Sequence, residues 1–324
     1  MTLLPVPDNN DTGPHICLAP IRGLTDALFR NVFRHHFKGI DAALAPFINP
    51  QRKALFSDRM LSDLLPQNNT TQPVIPQLLH TWPEDFLLLA SRLADLGYTH
   101  INWNLGCPAP MVARKKRGSG LLPYPDEIIS FLDEVLPKLP VQLSIKTRLG
   151  FSDKNELLQL LPRLNDFPLR EIIIHTRLGS QLYRGETDPE SFASCRKVSI
   201  HTLVYNGDIN SLDDFSSLAG QFPGINRWMV GRGLLMNPFL AEEIKSFPGD
   251  TKANRSERIY HFHRDLSERY EEKLSGPGHL LSRMKQLWAY LISSFPGKEK
   301  EFKKLRKSST RTQYMDSVNR IFDN

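Results

Sequence analysis

The segment Asn104-Leu105-Gly106-Cys107-Pro108 sets a thiol at the close of an apolar run, between a residue that permits a tight turn and one that stops strand pairing. A thiol of ordinary pKa, about 8.5, is mostly protonated at neutral pH and can serve as a general acid. Position alone leaves nucleophile, general acid and inert core sulfur open for Cys107, and a lone cysteine is more often core. Lys146 closes another apolar run, where an ammonium brought inside needs an anionic or hydrogen-bonding partner unless it snorkels past the rim. A reduced flavin is one such partner, because a cation near N1 and the C2 carbonyl stabilises its charge. Gln77, Asn104 and His175 also stand within or at the ends of apolar runs, and Asn206-Gly207-Asp208 and Gly231-Arg232-Gly233 follow two more. Two such glycine-bearing loops, with Arg232 in one, suit a phosphate held by backbone N–H groups and a guanidinium.

These side chains work together only if the runs that carry them are neighbours. Eight short apolar runs recur in the first 231 residues: Ile16–Ala19, Ala42–Ala45, Val74–Leu79, Ile101–Leu105, Val141–Lys146, Glu171–His175, Thr202–Tyr205 and Trp228–Val230. The stretches between them leave room for helices. Glu84–Leu96 and Asp126–Leu136 show helical apolar spacing, with Gly97 as a C-cap. Repeated βα units predict an α/β fold, a (β/α)8 TIM barrel, with an open doubly wound sheet as the rival because periodicity does not show closure. In a barrel the chemistry lies at the C-terminal strand ends and a phosphate sits at the loops after the last two strands, where the polar residues above fall. Beyond Glu243 the break Pro248-Gly249-Asp250 leads into Arg255–Leu274, Leu280–Ser294 and Lys298–Phe322, each read as a helix. The expected organisation is a catalytic barrel over 1–243 and an all-helical domain over 244–324.

The net charge of +6 is unevenly placed, since residues 245–324 carry 17 Lys and Arg against 10 Asp and Glu, and the rest of the chain is nearly neutral. A basic tail suggests contact with a polyanion, the plainer reading being a solvated helical face. Three cysteines, Cys17, Cys107 and Cys195, are odd in number and widely spaced, which argues against disulfides and a metal site. No stretch approaches the roughly 20 apolar residues of a membrane span. Met1–Pro14 has Asp, Asn and Pro where a signal peptide has a basic and then an apolar run, so a cytoplasmic protein is expected.

The ordered set Ala19-Pro20-Ile21-Arg22-Gly23-Leu24-Thr25-Asp26, Pro76-Gln77-Leu78, Asn104-Leu105-Gly106-Cys107-Pro108, Lys146-Thr147-Arg148, His175-Thr176-Arg177, Asn206-Gly207-Asp208 and Gly231-Arg232-Gly233 resembles the tRNA-dihydrouridine synthases nearly end to end. The resemblance implies an FMN-dependent barrel with a helical RNA-binding domain. It implies backbone contacts to FMN around Pro20, Ile21 and Arg22, side-chain contacts from Gln77, Lys146 and His175, and phosphate binding at Asn206, Gly207, Asp208, Gly231 and Arg232. Asn104 would hold the target uracil and Arg177 would serve the substrate. NADPH (or NADH) would reduce FMN, hydride would pass to uracil C6, and Cys107 would deliver the proton to C5. In the tail, Arg283-Met284-Lys285-Gln286-Leu287 with Tyr290-Leu291 looks like the family's R-x-K-x-x-x-x-Y-L helix, places Arg283 and Lys285 on the RNA, and leans toward the bacterial C-type branch. The implied partner is tRNA, with a D-loop uridine flipped out to reach the flavin. A monomer and no membrane are expected with it.

Three places depart from that pattern. Lys115 and Lys116, within Arg114-Lys115-Lys116-Arg117, stand where the family usually has glycines, and the segment reads equally as a phosphate-binding surface or a solvated loop. The family's H-G-R-T appears as His175-Thr176-Arg177-Leu178, and its APM as Ala19-Pro20-Ile21. Two rival functions accompany the leading one: an FMN-dependent reductase of a free pyrimidine or small activated alkene, which needs no basic tail, and a non-catalytic RNA-binding paralogue, which needs no flavin.

Overall fold

The computed structural model describes residues 3–5, 13–49 and 57–323, so most of Met1–Pro14, read above for a targeting signal, lies outside the described residues. The strands are β1 (His15–Leu18), β2 (Ala42–Leu44), β3 (Val74–Ile75), β4 (Gln77–Leu78), β5 (His100–Leu105), β6 (Gln142–Gly150), β7 (Ile172–Leu178), β8 (Leu203–Asn206) and β9 (Arg227–Val230). They form one nine-stranded sheet in the order β3-β2-β1-β9-β8-β7-β6-β5-β4, with neighbouring strands parallel. The extra strand comes from the third expected run, which Pro76 divides because it has no N–H to give a ladder. Val74 and Ile75 pair with β2, while Gln77 and Leu78 pair with β5. The chain itself therefore joins the two sheet ends. With β1 paired to β9, this is a TIM barrel and not an open sheet.

Helices α1 (Ala27–His36), α2 (Pro83–Asp95), α3 (Pro110–Ala113), α4 (Pro125–Val135), α5 (Asn155–Leu164), α6 (Pro189–Val198), α7 (Leu212–Gln221), α8 (Arg232–Met236) and α9 (Leu240–Ile244) accompany the strands. Gly97 ends α2 as expected, at φ +94° with its N–H on the Ala94 carbonyl. Strand alternation sends Ile16, Leu18, Ile172 and Ile174 outward under the helices, while Cys17, Leu44, Ile173, Val204 and Met229 form a separate inner cluster. On that inner face β5 also carries Asn102 and Asn104, and β6 carries Ser144 and Lys146.

The tail is helical: α10 (Lys252–Lys273), α11 (Pro277–Leu291), α12 (Glu299–Lys307) and α13 (Arg311–Phe322). The expected single helix over Lys298–Phe322 divides because Thr310 caps α13, its side chain accepting the Gln313 N–H. The tail docks on α1, where Phe262 lies edge-on to Phe29, Phe33 and Phe37 at 5.9, 5.6 and 5.2 Å. Arg258 adds bonds of 2.7 Å to Glu242 and to the His36 carbonyl. Among the described residues no helix is long and apolar enough to cross a membrane.

Candidate active site

A cavity of about 510 Å³ opens at the C-terminal strand ends. It brings together Pro20, Ile21, Arg22, Gln77, Asn104, Cys107, Lys146, His175, Asn206, Gly207, Asp208, Gly231 and Arg232, from loops far apart in sequence. Arg177, expected to serve the substrate, is not among the lining residues, and Arg283 and Lys285, expected on the RNA, lie on α11 outside it.

The Cys107 loop is held from several sides. Asn104 Oδ1 accepts the N–H of Gly106 at 3.0 Å and of Cys107 at 2.8 Å, a local side-chain turn that bends the chain as it leaves β5. Asn104 Nδ2 donates to Gln77 Oε1 at 2.8 Å. The Cys107 carbonyl accepts from Ser119 Oγ and Ser119 N, each at 3.1 Å. Gly118, at φ +56°, packs so closely that a Cβ there would stand 2.6 Å from that carbonyl oxygen. Burial pushes the Cys107 thiol up from its ordinary value, against smaller opposing effects of a backbone hydrogen bond and the charges of Arg148, Arg22 and Lys146. The thiol therefore keeps its proton at neutral pH, and is suited to giving it away.

Basic side chains stand beside this loop, since Lys146 pairs with Asn104 across β5 and β6. Lys146 donates to Asn206 Oδ1 at 2.8 Å, and Asn206 Nδ2 is fixed by the Met229 carbonyl at 2.8 Å. Burial, then the charge of Arg148, pushes Lys146 down to about 7. His175 lies well below its ordinary pKa, first through burial and then through Lys146, Arg148, Arg177 and Arg232. Arg177 can only donate and faces His175 Nε2 at 3.3 Å, so that nitrogen accepts and the neutral ring carries its proton on Nδ1.

Asp208 is the one carboxylate among the described residues lining the cavity. Both its oxygens meet the Arg177 guanidinium, one at 2.9 Å, and Arg232 Nη2 reaches Oδ1 at 2.6 Å. Burial acts to raise this carboxyl, but the hydrogen bonds and charges of the two arginines outweigh it, and its pKa falls below the ordinary value. Arg177 gives its remaining hydrogens to the Gly185 carbonyl at 3.2 and 2.7 Å. It thus stands behind Asp208 and His175, holding both.

Arg148, Tyr183 and Tyr290 line the cavity without having been singled out as site residues. Arg148 lies two positions beyond Lys146 on β6, so strand period was the available signal. It is 1% exposed, donates to the Leu178 carbonyl at 2.6 Å and sits 5.2 Å from the Tyr183 ring, which is 60% exposed at the mouth. No local signal marks Tyr183. Tyr290 belongs to α11, so the tail forms part of the site wall.

In the basic segment, Lys116 pairs with Glu127 at 2.7 Å over the Tyr124 ring, and Arg117 reaches Asn49 at 3.1 Å, while Arg114 and Lys115 are exposed. In the tail, Arg283 meets Asp26 at 3.3 Å and stacks on Tyr270, whose hydroxyl donates to the same carboxylate at 2.8 Å. Asp26 also caps α1 through the Phe29 N–H. Lys285 donates to the Ser308 carbonyl.

A family model described as dihydrouridine synthase matches residues 17–323. The chain is 26% identical over 316 residues to the probable tRNA-dihydrouridine synthase 2 of Bacillus subtilis (strain 168), covering 96% of this chain and 93% of that one. It is 27% identical over 303 residues to the tRNA-dihydrouridine(16) synthase of Shewanella oneidensis, covering 90% and 93%. To the tRNA-dihydrouridine synthase B of Pasteurella multocida it is 27% identical over 232 residues, covering 71% and 69%. These type designations sit at nearly equal identity, so identity favours no branch. Among solved structures, the old yellow enzyme homologue (NCR) of Zymomonas mobilis matches with a TM-score of 0.54 at 14% identity, covering 74% of this chain and 90% of that one. At that identity the likeness is one of fold.

Proposed function

The chain belongs to the dihydrouridine synthase family, and on that premise we propose that it is a cytoplasmic enzyme that reduces a D-loop uridine of tRNA to 5,6-dihydrouridine. The observation that carries this reading is the meeting, in one cavity, of a protonated thiol with the basic side chains of Arg22, Lys146, Arg148 and Arg232.

The residues present fit a flavin mononucleotide. Among the described residues four basic side chains, Arg22, Lys146, Arg148 and Arg232, line the cavity against the single carboxylate of Asp208, so the lining has an excess of basic groups for an anionic ligand. Arg232 with the backbone at Gly207, Asp208 and Gly231 would hold the phosphate. Lys146, Gln77 and His175 would face the ring system, with the chain at Pro20, Ile21 and Arg22 beside them. When bound, FMN reduced by NADPH or NADH would supply the hydride that uracil C6 receives.

The chain's own part is positional and protolytic. Lys146 recovers its charge beside an anion, since an opposite charge offsets the burial that lowers its pKa. Asn104 keeps one amide hydrogen beyond the one given to Gln77, and offers it to a carbonyl of the flipped base. Cys107 transfers its proton from Sγ to C5, and the thiolate left behind regains one from solvent. We assign residues 244–324 to holding tRNA phosphates, as their excess of basic side chains suits.

Mapping dihydrouridine across cellular RNA after deletion of the gene tests this. Loss at a single tRNA position, restored by the wild-type gene and not by Cys107→Ala, is the expected outcome. Unchanged tRNA would refute it.

A further inference from the structure

Below the cavity a line of side-chain hydrogen bonds runs through the barrel interior. Asn104 Nδ2 lies 2.8 Å from Gln77 Oε1, Gln77 Nε2 lies 2.8 Å from Asn102 Oδ1, and Asn102 Nδ2 lies 2.8 Å from Ser144 Oγ. His100 Nε2 meets the same hydroxyl at 2.7 Å. All five residues are buried. Register accounts for their meeting, since Gln77 pairs with Asn102 across β4 and β5, and Asn102 with Ser144 across β5 and β6.

The direction of each bond follows from one end. The N–H groups of Gly106 and Cys107 can only donate, so the Asn104 atom that faces them is its oxygen. Its nitrogen then faces Gln77, which must present oxygen. The Gln77 nitrogen in turn faces the Asn102 oxygen, and the Asn102 nitrogen faces Ser144. The Ser144 hydroxyl hydrogen goes to the Ile101 carbonyl at 3.3 Å, so toward Asn102 and His100 this oxygen only accepts. His100 suits that arrangement, because burial pushes its pKa down to about 3 and Nδ1 has no partner, leaving the ring proton for Nε2.

We infer that Gln77, Asn102 and Ser144 form a positioning relay that holds the Asn104 amide in the single orientation that clamps the Cys107 loop. Turning any one amide over sets N–H against N–H, or oxygen against oxygen, at the next contact, so an error anywhere reaches Asn104. Ser144 anchors the line. It is not among the residues lining the cavity, and acts on the Cys107 loop through three intervening amides.

The inference rests on Cys107 being the proton donor of the proposed function, and its test has a readout that needs no tRNA. Flavin-loaded protein is treated with iodoacetamide under native conditions, where Cys17 and Cys195 are buried, and labelling at Cys107 is followed by peptide mass. Ser144→Ala removes the acceptor for Asn102, and Ser144→Thr keeps it. Ser144→Ala should label Cys107 about five-fold faster and slow single-turnover tRNA reduction about ten-fold at unchanged KM for tRNA, while Ser144→Thr restores both. Labelling and turnover at wild-type rates in folded Ser144→Ala would overturn the relay. Should thermal unfolding show that Ser144→Ala does not fold, Asn102→Leu breaks the same link and carries the same two expectations. A wild-type protein that labels but never reduces tRNA would refute the function, and the labelling comparison would still decide the relay.

Discussion

The side-chain carbonyl of Asn104 accepts the Cys107 amide hydrogen at 2.8 Å, so the residue placed to meet the base also sets the loop that carries the proton donor. Asn104→Ala removes both, and should lower single-turnover tRNA reduction by about a hundred-fold, as misplacement of a reacting group does. Asn104→Asp keeps an acceptor for the loop but has no hydrogen to give Gln77, and should fall between the two. Flavin absorbance should be retained in both variants.

Cys107→Ala removes the acid without removing a cation or a flavin contact. Turnover should drop by about 10²–10⁴-fold, the usual share of a positioned acid, with flavin content and tRNA affinity unchanged. Rapid-mixing kinetics with prereduced enzyme measures the first, and a binding titration the second.

Lys146 links flavin binding to pH. In the flavin-free fold its pKa is pushed down to about 7, while the unfolded chain keeps an ordinary lysine. Between pH 7 and the ordinary lysine value the unfolded chain holds the proton and the folded one does not, so rising pH favours the fold, by up to about 1.4 kcal/mol per pH unit. Denaturant unfolding of flavin-free wild type and Lys146→Met at several pH values isolates that slope as their difference. Loading with flavin should flatten it, and Lys146→Met should bind flavin more weakly.

Acid should destabilise the fold through buried neutral histidines. Burial first pushes His15 and His263 to about 4 and His100 to about 3, and it lowers His175 as well. Below pH 6.5 the unfolded chain takes up protons that these rings refuse, so stability falls as pH drops, by about 1.4 kcal/mol per unit for each. His15→Leu, which replaces a ring whose Nε2 has no partner, should remove one such share from the slope of unfolding free energy against pH.

What the chain revealed without a fold was its local chemistry. Polar residues closing apolar runs marked strand ends, and Lys146, His175, Asn206 and Arg232 meet in one cavity because parallel strands bring their ends together. Pro76 was visible, yet the run around it reads as one strand, and only pairing with two different neighbours divides it. Arg177, Arg283 and Lys285 were readable as cations but not as inward-facing ones. Their partners Asp208, Asp26 and Ser308 are remote in sequence, and charge alone does not say whether an arginine meets solvent or a carboxylate. Asn104 carried a signal that could have been used, since a side-chain oxygen just before Leu105-Gly106-Cys107 commonly accepts backbone N–H groups of its own turn.

The most direct measurement incubates the flavin-loaded protein with an unmodified tRNA transcript and NADPH, and maps nucleoside masses along the RNA. One uridine should gain two hydrogens with wild type, and none with Cys107→Ala. NADPH consumption with every uridine unchanged would contradict the account.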